Sequence, residues 1–545
     1  MKLIFNATLY LCLCNFIQAQ QVSGWYWIQF TDKKHSSYSI EHPEEFLSAR
    51  ALQRRINQHI SIRENDLPVS QVYCDSLSKL GIPVINKSKW LNAVITGNID
   101  SAHIMLLQQL QFVQKIQRVK PSPEIKSTST LTGIHSILNT SDFDYGMGYD
   151  QIHIHNGDLL HNLGYSGKGM IIAIIDAGFK NADMVEAFQK LWNNHQIIGH
   201  RDFVNPHSNI FNEYTHGTTV LSVIGSYIPG MLVGTAPDAS FWLLRSEDVS
   251  SEYLIEEDNW VSAAEFADSV GADVINTSLG YTRFDDPEEN HTYQDMNGKT
   301  THISIAAEIA ASKGILVVNS AGNEGATDWK YISAPADADS ILSVGAIDFW
   351  GNIAYFSSRG PTSDGRIKPD VCAVGMGTHV FSSADLLTFT NGTSVSSPII
   401  AGLSACLWQA NRPATNMEIL RAILESSDRY TSPDTIFGYG IPDFYKANLI
   451  LKANHRSVAD TVFSFNFFPN PFRNEFYLST ESDDDQAATL SVYNTTGVLI
   501  NSFEIRLNAG YNLILIDNLS QFAPGVYFVK LQSKYGSPTK IILKQ

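Results

Sequence analysis

The chain has 545 residues, 44% of them hydrophobic and 17% charged, which is length for several domains and apolar content for real cores. Its formal net charge of -17, without any Lys/Arg run or basic–aromatic alternation, excludes nucleic acid as an expected partner. Beyond the N-terminus no stretch is long and apolar enough to span a bilayer.

Met1-Lys2, an apolar run from Leu3 to Ile17 and then Gln18-Ala19-Gln20 predict a signal peptide over residues 1–19 and an exported, soluble mature chain. A buried N-terminal helix is the plainer alternative, and bulky Leu11 and Leu13 argue against a lipoprotein cysteine. Five cysteines are few for export. Cys12 and Cys14 leave with the signal and Cys74 lies in the region that follows, so Cys372 and Cys406 remain, free to pair or to stay buried thiols. No CxxC spacing suggests zinc.

Residues 20–140 are polar and Gln-rich, with a helix expected over 44–56, a strand over 90–97 and a second helix over 104–110. A small α+β unit fits, ending in a Ser/Thr/Pro-rich processing linker from Pro121 to about Asp142. From 141 to 455 the rhythm becomes α/β, with apolar strands expected at 170–175, 241–244, 274–276, 315–318 and 341–344. Near-continuous apolar runs suit strands covered by helices on both faces of a mostly parallel sheet. Residues 465–545 open on Phe467-Phe468-Pro469-Asn470-Pro471 and hold strands expected at 489–493, 512–516 and 526–531 between turns, which reads as a β-sandwich.

Three segments carry nucleophilic chemistry. Ser394 stands in Asn391-Gly392-Thr393-Ser394-Val395-Ser396-Ser397-Pro398, ahead of a helix whose first N–H groups can face a developing oxyanion. The plainer alternative is an N-cap serine. His216, in Tyr214-Thr215-His216-Gly217, is placed in the first turn of a helix capped by Thr215, with Val220, Val223 and Ile224 on its apolar face. An imidazole there suits general base work, although a single histidine is usually structural. Asp176 ends the apolar run Ile171-Ile172-Ala173-Ile174-Ile175, at the carboxyl edge of a parallel sheet, where sites gather. A turn aspartate is its plainer alternative.

In the order Asp, His, Ser, these segments resemble the subtilisin-like serine proteases, the subtilase family, over about 300 residues. The resemblance implies a serine endopeptidase with Asp176, His216 and Ser394 as catalytic triad. Asn323, in Asn319-Ser320-Ala321-Gly322-Asn323, is then the oxyanion donor; otherwise it is a loop asparagine in a left-handed turn. Ser278, Leu279 and Gly280 resemble the strand that pairs with substrate, which favours peptide over simple ester substrates. Ala177, Thr219 and Val395-Ser396 depart from the commoner Thr or Ser, His, and Met-Ala. The acidic segment from Tyr281 to Thr301, with Asp285, Asp286, Glu288, Glu289 and Asp295, is either a solvated loop, a calcium site or a preference for basic substrates. No cofactor is expected for the chemistry, structural calcium stays possible, and the metal ligands are unassigned.

Residues 20–140 resemble a subtilase pro-segment, which implies a partner that helps the catalytic domain fold and blocks its cleft. The strings Ser48-Ala49-Arg50-Ala51-Leu52-Gln53-Arg54-Arg55 and Ser88-Lys89-Trp90-Leu91-Asn92 carry that likeness. Pro469-Asn470-Pro471, Gly525-Val526-Tyr527-Phe528 and Lys540-Ile541-Ile542-Leu543-Lys544 resemble a type IX secretion sorting domain, implying export through the periplasm and outer membrane to the surface or beyond. An accessory β-sandwich that binds carbohydrate or protein is the alternative. Two other readings of the whole chain are a catalytically weak surface adhesin on the same scaffold and a hydrolase of non-peptide esters.

Overall fold

The computed structural model describes residues 23–121, 143–455, 465–468, 470–482, 484–517 and 519–545. The expected signal peptide and nearly all of the expected processing linker lie outside the described residues.

Seven parallel strands form the central sheet: β1 (Ile171–Asp176), β2 (Ile197–Asp202), β3 (Ser240–Arg245), β4 (Val274–Thr277), β5 (Leu316–Ser320), β6 (Leu342–Ile347) and β7 (Val371–Val374). Their order is β7-β6-β5-β4-β1-β3-β2, so the chain reverses direction across the sheet beside β1. In such sheets the crevice outside the carboxyl ends at the reversal is the natural site. Successive side chains of a strand point to opposite faces. Ile172 and Ile174 therefore join a core with helices α1 (His216–Gly225) and α4 (Thr393–Ala410). Ala173 and Ile175 join a second core with α2 (Ile255–Val270) and α3 (His302–Ser312). Both faces being covered explains why β1 is apolar without alternation.

Sequence periodicity missed β2 and β7. The first is an edge strand carrying Gly199, His200 and Arg201, and the second has only four residues. Among the described residues no helix is long and apolar enough to cross a membrane.

The N-terminal unit is a four-stranded antiparallel sheet in the order Val84–Ser88, Ala93–Thr96, Gly24–Phe30, Val113–Pro121, with helices Ala49–Asn57, Gln71–Lys79 and Ser101–Leu107. The expected strand over 90–97 is shorter than its apolar run because Asn92 takes a positive φ of 51° and turns the chain. This unit docks on α2: Glu265 accepts from Ser88 Oγ at 2.7 Å and from the backbone of Lys89 at 2.8 Å and Trp90 at 2.9 Å. Asp268 meets Arg54 at 2.5 Å, Arg55 at 2.9 Å and Lys89 at 3.3 Å.

The C-terminal unit stacks a three-stranded sheet on a four-stranded one. Phe476, Leu478 and Ile516 of the first meet Leu490, Val492, Val529, Leu531 and Ile542 of the second in one core. Strand Gln486–Tyr493 alternates buried and more exposed residues, as a sandwich strand with one wet face should.

Candidate active site

Asp176 ends β1, with no exposed surface. Its Oδ1 accepts from Ala177 N and from His216 Nδ1, both at 2.8 Å. A carboxylate can only accept here, so the proton sits on Nδ1 and Nε2 keeps its lone pair. His216 opens α1, whose Val220, Val223 and Ile224 are fully buried and anchor the helix. Thr215 does not cap that helix with its side chain. Its dihedrals are already helical, whereas a side-chain cap needs an extended residue. The turn is closed instead by Gly217 N donating to Gly178 O at 2.9 Å, an approach so close that a Cβ on Gly217 would lie 2.5 Å from that oxygen. Arg245, at the end of β3, holds the same loop through Ala177 O at 3.1 Å and is itself fixed by Asp202, at the end of β2, at 2.9 Å.

Ser394 is the second residue of α4, and Gly392, not Ser394, occupies the N-cap position. Gly392 has φ +152°, and a Cβ there would lie 2.9 Å from Ser394 Oγ and 3.7 Å from Asn323 Nδ2. The hydroxyl and the amide thus border one small space that only glycine leaves open. Asn323 Oδ1 accepts from Thr393 N at 2.9 Å and Thr393 Oγ1 at 3.0 Å, which turns its NH₂ towards that space. The left-handed residue of this loop is Gly322, with φ +110°, so Asn323 is not itself a left-handed turn.

The register pairs Ile175 with Thr277, which sets Ser278 beside Asp176 at the carboxyl edge. Ser278 Oγ donates to Ser394 O at 2.8 Å, and Ser397 Oγ donates to Asn276 Oδ1 at 3.0 Å. These bonds tie the start of α4 to the end of β4. Ser278 and Leu279 are buried and Gly280 is exposed, so only the last of the expected substrate-strand residues faces solvent openly.

Burial disfavours the His216 cation, but the charge and hydrogen bond of Asp176 and the charge of Glu247 outweigh it, and the net effect raises its pKa above the usual histidine value. Glu247 is pushed up to about 7 by burial first and by Asp176 second. Burial and then the charge of Glu247 push Glu252 up to about 8 and Glu256 up to about 11. Sequence reading missed this glutamate cluster. Its signal was the four-residue spacing of Glu252 and Glu256, although Glu252 lies ahead of α2 and not on it.

Two expectations find their answers nearby. Cys372 and Cys406 do not pair: each is a buried thiol, the first against Phe437 O at 3.5 Å and the second against Thr235 O at 3.2 Å. In the acidic segment 281–301, Asp286 pairs with Arg118 of the N-terminal unit. Asp285 accepts from Glu252 N at 3.2 Å, Glu289 from Leu254 N at 3.3 Å and Asp295 from Thr292 N at 2.7 Å. These acids serve as caps and docking partners, not as one converging set.

Residues 167–440 match the model of the subtilase family, residues 25–132 that of the Bacteroidota peptidase S8 propeptide domain, and residues 466–545 that of the secretion system C-terminal sorting domain. Serine protease AprX of Bacillus subtilis is 28% identical over 319 residues, 53% of this chain and 66% of that protein. Subtilisin-like protease SBT6.1 of Arabidopsis thaliana is 29% identical over 336 residues, 57% of this chain and 29% of that protein. The chain thus spans between 29% and 66% of the length of these relatives. The crystal structure of the epidermin leader peptide processing serine protease of Staphylococcus aureus has a similar fold, with TM-score 0.52, 18% identity and coverage of 80% of this chain and 100% of that one.

Proposed function

The chain belongs to the subtilase family, and from that premise we propose that it is a serine endopeptidase working through Asp176, His216, Ser394 and Asn323. The observation that carries the proposal is the 2.8 Å bond from His216 to a fully buried Asp176, on the same sheet edge where Ser394 Oγ and Asn323 Nδ2 border one space.

In this reading Ser394 Oγ attacks the carbonyl carbon of a peptide bond while His216 Nε2 takes the hydroxyl proton. Asp176 stays ionised and stabilises the imidazolium through Nδ1–H. The tetrahedral oxyanion is met by the Asn323 amide and by an N–H at the start of α4, where the helix dipole favours negative charge. His216 then protonates the leaving amine, an acyl-Ser394 forms, and a water activated by the same imidazole hydrolyses it. Substrate backbone is read in β fashion along Ser278, Leu279 and Gly280, and no cofactor is needed for these steps.

The pro-segment is proposed to restrain the enzyme until it is cut. Its last described strand, Val113–Pro121, reaches the candidate site's rim, with Lys120 on Asp248 and Ser251 and Arg118 on Asp286. The sorting domain marks the chain for type IX export to the cell surface or outside. A fluorophosphonate probe tests the proposal. Matured protein should be labelled at Ser394 and should cleave casein far better than a simple ester, and the Ser394→Ala variant should do neither. Matured protein that resists labelling would remove the enzyme reading and leave an adhesin on a subtilase scaffold.

A further inference from the structure

We propose that Glu247, Glu252 and Glu256 form a site for a hard divalent cation, calcium in an exported protein, beside the candidate active site. One carboxylate oxygen from each lies within 4.8 Å of those of the other two. Oxygens held at about 2.4 Å from one calcium ion lie at most about 4.8 Å apart, so the spacing of the three meets the condition for sharing one ion. Three carboxylates with room for water suit calcium or magnesium and not a thiophilic metal.

Crowded acids alone would not suffice. The second observation is Glu256, which has no exposed surface and whose two carboxylate oxygens accept no hydrogen bond. A buried carboxylate that accepts no hydrogen bond is costly, and coordination to a cation offsets the cost. Glu256 stands in the first turn of α2, yet no backbone N–H there reaches its oxygens. Among the described residues the neighbouring cations are engaged elsewhere. Lys120 bonds Asp248 and Ser251, Arg118 bonds Asp286, Arg245 bonds Asp202 and Glu213, and His216 bonds Asp176. Glu247 and Glu252 are half-buried, which opens the cluster to solvent on one side. Glu247 lies two residues after Arg245, whose register partner is Asp176, so an ion here offsets negative charge next to the Asp176–His216 pair.

The test does not depend on peptidase activity. Full-length Ser394→Ala protein, stripped with a chelator, is titrated with calcium chloride in a calorimeter. The expected result is a saturable site that is lost with Glu256→Gln and weakened roughly tenfold or more with Glu252→Gln. Glu288→Gln, on the acidic segment, should leave it unchanged. Because Glu256 is buried, folding of that variant is checked by circular dichroism. Half-buried Glu252 supplies the second readout: millimolar calcium should raise the melting temperature of the parent and raise it less in Glu252→Gln. Equal calcium binding and equal melting shifts in all variants overturn the proposal. A Lys or Arg preference in a peptide library that Glu252→Gln erases, with no calcium equivalent lost, also overturns it in favour of a basic-substrate subsite.

Discussion

Helix α2 has two faces that are held in opposite ways. Trp260, Ala263, Ala264 and Ala267 pack into the sheet, with Trp260 Nε1 donating to Thr277 at 3.0 Å. On the other side Glu265 and Asp268 are equally buried, but against the pro-segment's Ser88, Lys89, Arg54 and Arg55. The apolar face is stabilised by exclusion of water and would lose that on any exposure. The charged face is held by ion pairs and hydrogen bonds, which water can replace if the proposed cut removes the pro-segment. An apolar core contact and a charged contact with the pro-segment thus sit on one helix, and on the proposed maturation only the second would be given up.

That contrast sets the order of expected effects. Trp260→Ala should cost about 3–5 kcal/mol of global stability, read by denaturant unfolding of Ser394→Ala protein, with little change in how the pro-segment docks. Asp268→Ala leaves Arg54 and Lys89 buried without this acid, while Arg55 keeps Asp66, and about 3–5 kcal/mol of docking should be lost. Hydrogen exchange over residues 23–121 should then rise while that of β1 and β4 does not; parallel losses in both would erase the distinction between the faces. Asn323→Ala touches neither face. It should lower kcat about 100- to 1000-fold, on the scale found for such a donor in subtilisin, with the melting temperature unchanged.

The smallest effect concerns pH. In the proposed mechanism His216 must be neutral to accept the Ser394 proton, and its pKa is raised, so kcat/KM should climb with pH through a midpoint above about 6.5. Glu247→Gln removes one of the charges that raise it. In chelator, the midpoint should therefore move down by a fraction of a pH unit. An upward move or none would mean that Glu247 does not act on His216.

Much of the candidate site was legible because its signals are local. Asp176 closes an apolar strand, His216 opens a helix and Ser394 follows a glycine at another helix start, and each can be read within about ten residues. Other features depended on distance. Glu247 and Glu252 lie in the loop between β3 and α2 and Glu256 stands on α2, and only the folded path of that loop converges their oxygens. Cys372 and Cys406 could pair or not on sequence grounds, and the fold buries one near Phe437 and the other near Thr235. The acidic segment could have been a calcium site, and the pro-segment's Arg118 decided the use of Asp286.

Apolar runs and turn residues in the sequence alone determined a three-part chain with an α/β centre, and its local motifs set one serine, histidine, aspartate and asparagine apart from the rest. Those features rest on the short-range physics of strand and helix periodicity, which needs no knowledge of neighbours. The tertiary structure alone decided that Thr215 does not cap α1, that Thr393 aims Asn323, that charge fastens the pro-segment to α2, and that three glutamates meet beside Asp176. The aim of Asn323 and the docking of the pro-segment are contacts between residues far apart in the chain, while the cap and the glutamates turn on the local path of the backbone that packing fixes, and all of them depend on burial and partners absent from the unfolded chain.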